Sequence, residues 1–364
     1  MPETALHDTI VADTRPVIAI DERLDDTVND LLVAMDLCEA EGGLTSVELV
    51  VGNTARRKTM GVDFVFEDRA NNVFDIGKPL RILTGDAADA TEIFLGTISA
   101  VALEYDEVRA ARLRVYAEDA LMPFRMRRRS RTYPAGPLRN TLDGIATAGG
   151  LTATITGLND TVDAQQQVNE TDLGFLRRLL TRYDADVQAV GDTLHISPVE
   201  DVERGAVRLE LGSQLRSIRV VADIAHQRPA TEAYGIDIKD CANVAVQSGT
   251  LAYGVGSGEL GSARAQAVFP KLNERLAPIG FEHKREAESV VNNAQRRRTR
   301  RYVTAEGQAT GNPLIRVGTV LTLAGLGERF TNDYRAVKVR HHFSQSSAYL
   351  TDFTAESAHW KVPQ

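Results

Sequence analysis

The stretch 307–356, GQATGNPLIRVGTVLTLAGLGERFTNDYRAVKVRHHFSQSSAYLTDFTAE, constrains the fold of this chain most. Gly311-Asn312-Pro313 is a turn signal. Gly318 closes a second turn, after which Val320, Leu321 and Leu323 carry a strand. Gly325 and Gly327 open a corner where the backbone takes conformations costly for other residues. Phe330 and Tyr334 lead into Val337 and Val339, interleaved with Arg335, Lys338 and Arg340 as in a half-buried strand. Tyr349, Leu350, Phe353 and Ala355 make a last strand. Short strands joined by glycine corners predict an antiparallel β-module.

The first third has the same character. Strand-length apolar runs occur at 16–20, 47–51, 63–67, 80–83, 93–101 and 108–117, with a basic polar loop at 54–59. The segment 27–39 reads as a partner strand or, over 30–38, as a short helix, and both readings stay open. Ile76-Gly77, Leu80, Ile82 and Gly85 return as Val317-Gly318, Leu321, Leu323 and Gly325. The run 113–118 returns as 351–356. This pairing predicts two copies of one β-module.

Between the copies the pattern changes. Pro137 opens a helix to about 148, ended by Gly149-Gly150. Asn169 or Thr171 caps a second helix, with Glu170 and Asp172 in an acidic first turn. Leu173, Leu176, Leu180 and Tyr183 give that helix one apolar face. A hairpin at 187–196 turns at Gly191-Asp192, and strand patterning returns at 209–224. The Gly-rich run 254–261 reads as a flexible loop, Pro270 breaks a helix, and 286–298 forms another.

Composition narrows the function classes. At 364 residues the chain has room for two or three domains and a sizeable core. A net charge of -8 argues against nucleic-acid binding by the chain as a whole. Cys38 and Cys241 form neither a metal pattern nor a disulfide framework, which points to a reducing assembly compartment. No apolar run reaches the roughly 20 residues that span a membrane. The N-terminus has no signal-peptide pattern.

Gly311, Pro313, Gly318, Gly325, Gly327, Phe330, Tyr334, His341, Tyr349, Thr351 and Phe353, in that order, resemble the C-terminal signature of the phage late-control gene D family. These are baseplate hub proteins of contractile tails, similar to the hub domain of VgrG proteins. The segment 169–196 resembles a second family block. Asn332-Asp333 departs from the family, which has a glycine after the corner aromatic. The resemblance implies a mainly β fold of two similar β-barrel domains with a smaller α/β insertion and helical segments. The divisions implied are a tail at 1–15, a first barrel at 16–119, the α/β insertion at 120–204, a second barrel from 205–240 with 300–364, and a loop and helical insertion at 241–299. It further implies a non-enzymatic homotrimer at the baseplate of a phage tail or phage-tail-like particle, assembled in the bacterial cytoplasm. Six barrels would meet a hexameric tail tube on one side and a separate trimeric spike on the other, with other baseplate proteins around them. Neither a cofactor, a small-molecule substrate nor membrane insertion is expected. The chain stops at Gln364, just past the signature, so no spike is expected within it.

Other constellations are weaker. His341 and His342 are strand neighbours, so their rings face opposite sides and cannot share a ligand. Tyr253-Gly254-Val255-Gly256-Ser257-Gly258 lacks the lysine of a phosphate loop, and no nucleophile elbow occurs. Asp25-Asp26 reads as a solvated pair. Arg125, Arg127, Arg128, Arg129 and Arg131, interleaved with Met122 and Phe124, read either as a solvated face or as a partner interface with Met122 and Phe124 as apolar anchors. A second run, Arg296, Arg297, Arg298, Arg300 and Arg301, ends a helix, where positive charge is favourable. The rival functions are a tail-associated cell-wall hydrolase, which needs paired carboxylates or a metal site, and a glycan-binding module, which would favour more exposed aromatics than the lone Trp360 offers.

Overall fold

The computed structural model describes residues 15–53, 55–58, 61–67, 72–84, 90–105, 110–202, 204–237, 240–249, 253–277 and 284–362. Of the expected tail only Arg15 is described, and Gly85 of the repeat lies outside the described residues.

The chain begins with β1 (Val17–Ile20), α1 (Asp26–Leu31), β2 (Leu32–Ala40), β3 (Ser46–Gly52), β4 (Pro79–Thr84), β5 (Thr91–Glu104) and β6 (Arg112–Glu118). The strand reading of 27–39 holds from Leu32 onward, whereas the helix expected over 30–38 lies earlier, at Asp26–Leu31. Asp25 is the helix cap, accepting from the Val28 N–H at 3.1 Å, so it is more than a solvated charge. The basic segment expected as a loop instead forms a hairpin, Ala55–Lys58 with Gly61–Phe64. In β6 strict alternation buries Leu113, Val115 and Ala117 and turns Arg114 and Glu118 outward.

The middle of the chain holds α2 (Met122–Met126), β7 (Arg128–Tyr133), α3 (Leu138–Gly149), β8 (Thr152–Ile155), β9 (Gln165–Thr171), α4 (Asp172–Arg182), β10 (Ala185–Val190) and β11 (Thr193–Pro198). Thr171 is the cap of α4, its hydroxyl accepting from the Gly174 N–H at 3.0 Å. Gly150 ends α3 in the left-handed conformation. Leu173, Leu176, Leu180 and Tyr183 enter one core with Leu138, Leu142 and Ile145.

The remainder holds β12 (Ala206–Glu210), β13 (Leu215–Ala222), β14 (Thr231–Asp237), β15 (Ala242–Gln247), α5 (Gly261–Val268), α6 (Lys284–Thr299), β16 (Val303–Thr310), β17 (Val320–Ala324), α7 (Gly327–Phe330), β18 (Asn332–Ser344) and β19 (Ala348–Ser357). The β14–β15 hairpin packs on α6 through Ala233, Val244, Val246, Ala287, Val290 and Val291. The alternation expected around Val337 is reset by a bulge between Ala336 and Lys338. Tyr334 and Ala336 therefore face the core before it, Val339 and His341 after it, and Val337 stays only part-buried.

The protein is mainly β, and one 13-stranded sheet dominates it. The strand order in the first half is β2-β3-β6-β5-β4-β1, and in the second β13-β16-β19-β18-β17-β12. The two orders match position for position. They differ at the last pair, which is antiparallel for β1–β4 and parallel for β12–β17. Bulges recur in equivalent places, between Leu32 and Ala34 and between Leu215 and Ser217, and between Ile98 and Ala100 and between Ala336 and Lys338. Gly77 and Gly318 share φ of +92° and +93°, which only glycine takes cheaply. The Gly77 N–H donates to Ile98 O at 2.9 Å, and the Gly318 N–H to Ala336 O at 2.8 Å. Among the described residues no ring of pairings closes either half into a barrel. Instead β2 pairs antiparallel with β18 and joins the halves into one surface. Across that seam Phe343 and Tyr349 of the second half complete the hydrophobic core of the first.

Candidate functional site

The sites with the most concentrated chemistry are the joints between these parts. At the seam, Glu39 on β2 is 2% exposed. Both its oxygens accept from Arg316 Nε at 3.0 Å, and one also accepts from the Val317 N–H at 3.0 Å. Burial would raise the Glu39 pKa, but Arg316 and the Val317 amide outweigh it and hold it below the usual carboxylate range.

A second joint centres on Arg300, 7% exposed. It makes a forked pair with Glu41 (2.7 and 2.8 Å), donates to Glu356 at 2.9 Å and lies 3.3 Å from Asp184. Asp184 also accepts the Tyr253 hydroxyl. Burial disfavours charge on Arg300, yet Asp184, Glu41 and Glu356 hold its pKa above the ordinary value. Asp184 and Glu356 are themselves raised by burial, with Arg300 opposing. This one guanidinium ties the β2–β3 turn, the middle segment, β19 and the loop at Tyr253. Around the same turn, Arg177 donates to Gly42 O at 2.7 Å and Gly43 O at 2.8 Å, and Asp186 accepts from the Gly42 N–H at 2.6 Å.

The arginines of the first run have partners within the chain. Arg125 makes two bonds of 2.6 Å with Glu118, Arg127 reaches Ala148 O at 3.2 Å, and Arg128 reaches Asn169 O at 2.8 Å. Arg129 pairs with buried Asp172 at 3.0 Å and with Ala148 O at 2.9 Å. Arg131 is exposed. Phe124 cannot anchor a partner, because it is 1% exposed and its ring fills the space that a Cβ on Gly149 would enter at 2.1 Å. Met122 is part-buried beside it. In the second run Arg296 pairs with Glu200, Arg298 with Glu274 and Arg301 with Glu356.

The signature residues form structural clusters. Gly311 lies under the Tyr349 ring, where a Cβ would sit 2.1 Å from it. The Tyr349 hydroxyl lies 2.8 Å and the Thr351 hydroxyl 3.2 Å from His341 Nδ1. Pro313 is buried, Tyr334 donates to Phe330 O at 2.8 Å, and Phe353 is in the second core. Gly325 and Gly327 both have positive φ. His342 faces the other way, towards Asp352 at 3.2 Å. The Gly-rich run is no flexible loop. Cβ atoms on Gly256 and Gly258 would strike Ser357 at 2.5 Å and Trp360 at 2.4 Å, and Asn332 accepts from the Ser257 N–H at 2.9 Å. Its glycines permit close packing on the end of β19 and form no anion cradle.

His341 is fully buried, and burial, with Arg316 nearby, pushes its pKa down from 6.5 to about 4. Between those values the unfolded chain binds a proton that the folded one refuses. The contribution of this histidine is therefore complete above pH 6.5 and is lost as the pH falls towards 4, by about 3 kcal/mol in all. Asp119 and Asp186, raised to about 6 by burial, act in the opposite direction. The clean measurement is therefore the difference between His341→Gln and the native chain. Unfolding free energies should show a shallower decline for the variant between pH 6.5 and 4, and parallel curves would refute this account of His341.

Among the described residues no group of three or more His, Cys, Asp or Glu is placed to hold a metal ion, and no helix is long and apolar enough to cross a membrane. An open cleft of about 730 Å³ beside β13 is lined by charges of both signs, including Arg219, Asp223, Arg298 and Glu306.

The family model described as the Alg8 N-terminal domain matches residues 62–345. No curated protein matches the sequence. Among solved structures, the 43 kDa tail protein of prophage MuSo2 from Shewanella oneidensis is similar at a TM-score of 0.67 and 10% identity, over 94% of this chain and 98% of that one. The tail protein from Neisseria meningitidis MC58 gives 0.66 at 8% identity, over 94% and 96%. The E. coli c3393 protein, a type VI secretion component described as similar to the bacteriophage T4 tail proteins gp27 and gp5, gives 0.54 at 12% identity, over 92% and 76%. Identities this low establish a shared fold.

Proposed function

We propose that this chain, which belongs to the Alg8 N-terminal domain family, is a structural baseplate hub of a contractile phage tail or tail-like injection particle. The observation that carries the reading is the end-to-end likeness to the Shewanella prophage tail protein, which leaves almost nothing of either chain over. The duplicated sheet supports it. The two halves, 16–119 and 205–240 with 300–364, act as two barrel-like modules of a homotrimer, with 120–204 and 241–299 as insertions. Three chains then offer six similar modules to a sixfold tube, and a trimeric spike takes the opposite side. Closed rotational symmetry is the ordinary route to such a ring. The role is non-enzymatic, and the exposed arginines of the first run, Arg131 foremost, meet neighbouring subunits or other baseplate proteins.

Mass in solution tests the reading. Light scattering on the purified chain should give three times the 39.7 kDa chain mass. A monomer that releases soluble fragments from peptidoglycan would overturn the hub in favour of a tail-associated hydrolase. A monomer that instead retains a glycan column would favour an adhesion module.

A further inference from the structure

The seam between β2 and β18 has unused counterparts. By the matching strand order and bulges, Ala100–Glu104 of β5 correspond to Lys338–His342 of β18, and Tyr105 to Phe343. By the same argument Ser217–Val221 of β13 correspond to Ala34–Cys38 of β2. In the second half, the stretch of β18 that follows its bulge is paired on its outer side with β2. In the first half the equivalent stretch of β5 has no strand on that side among the described residues. β13 likewise pairs on one side with β16 and ends the sheet. The chain thus carries one complete joint and the two halves of a second, facing outward. Such edges are templates for further strands and are normally blocked.

Their side chains fit each other. In the existing joint His341 opposes Leu37, Phe343 opposes Met35 and His342 opposes Asp36. Transferred to the free edges, that register sets Leu103 opposite Val220, Tyr105 opposite Ile218 and Glu104 opposite Arg219. Two pairs are apolar and the third joins opposite charges, the cross-strand combinations that stabilise a sheet. Leu103 is 51% exposed and Tyr105 70% exposed, whereas their counterparts His341 and Phe343 are buried. Val221, 39% exposed, lies on the same free edge of β13.

We propose that β13 of one copy pairs antiparallel with the C-terminal half of β5 of a second copy, in the register Leu103–Val220, so that the sheet runs from chain to chain. The proposal rests on the hub reading and names its subunit contact. The contact is heterologous, and it closes into a ring when the rotation of the joint within the chain is repeated between chains. Tyr105 enters the neighbour's second core where Phe343 enters the first core of its own chain.

The test is a disulfide across that register. In the full chain with Cys38→Ser and Cys241→Ser, Leu103→Cys and Val220→Cys are introduced together and oxidised. Directly opposed residues of an antiparallel pair have the Cα separation a disulfide needs. Linkage between copies should exceed by at least tenfold that of the offset pair Leu103→Cys with Ile218→Cys. Preferential linkage of the offset pair would overturn the register. Because Leu103 is exposed in the single chain, Leu103→Asp should leave the secondary structure read by circular dichroism unchanged and lower the associated mass from three chains to one. A native chain of threefold mass whose double-cysteine variant forms no 103–220 link would sink the strand pairing and leave the hub reading intact. A native chain that stays monomeric, with a double-cysteine variant that forms no link, would sink both.

Discussion

Replacing Arg300 with methionine should destabilise the chain by about 3 to 5 kcal/mol, the range for removing one partner of a buried ion network. Glu41, Asp184 and Glu356 all lean on this one guanidinium, and without it the buried Asp184 and Glu356 face each other and the part-exposed Glu41. Arg301, 3.3 Å from Glu356 but half exposed, replaces little of that charge. The loss carries a pH signature. Asp184 and Glu356 are already raised by burial, and removing Arg300 raises them further. A carboxylate with a raised folded pKa favours folding at low pH, and the benefit disappears as the pH rises through that value. The variant should therefore be hurt more at pH 8 than at pH 5. Arg300→Lys keeps the charge and loses the fork to Glu41, so it should fall between the two. Urea unfolding at both pH values measures this. A methionine variant within 1 kcal/mol of native at pH 8 would show that the network is screened or relaxed.

The second large effect is expected at the seam. Arg316→Met leaves Glu39 with the Val317 amide and Arg204 at 3.9 Å, too little for a carboxylate that is 2% exposed. A loss of about 3 kcal/mol or more is expected from that single change. Glu39→Met with Arg316→Met replaces both charges by apolar groups and should recover most of it, because a buried pair is dearer to break than to remove. The double-mutant cycle should give a coupling of about 2 kcal/mol, since the residues share direct bonds. Additive losses would mean that the pair does not hold the halves together.

Local signals in the sequence carried the elements, and distant ones were lost. Thr171, Pro137 and Gly150 mark helix ends by chemistry confined to a few residues, and alternation in 113–118 marks a strand by itself. Gly77 and Gly318 disclosed the repeat because both need a conformation that only glycine takes easily. The Arg300 node was illegible, because its partners Glu41 and Glu356 lie 259 and 56 residues away. Its arginine looked like one of five at a helix end. Phe124 reads as a surface anchor in the sequence because five arginines follow it closely, whereas its ring fills the space beside Gly149. The part-buried place of Val337 is hidden in the sequence because a bulge leaves no mark in a run of valines and basic residues. The free edges of β5 and β13 needed the pairing of β2 with β18 before their complementarity could be seen.

Phe343 and Tyr349 have a consequence for synthesis. They sit in the first core although the whole middle of the chain, α2 to β11, is made between that core and them. Until β18 has been made, that core stays open along the edge of β2. The seam has long sequence separation, which slows its formation, and an open core with a free strand edge exposes the nascent chain to aggregation. A first half that folded alone would lack Phe343 and Tyr349 from its core, and it is completed only once β18 has been laid beside β2.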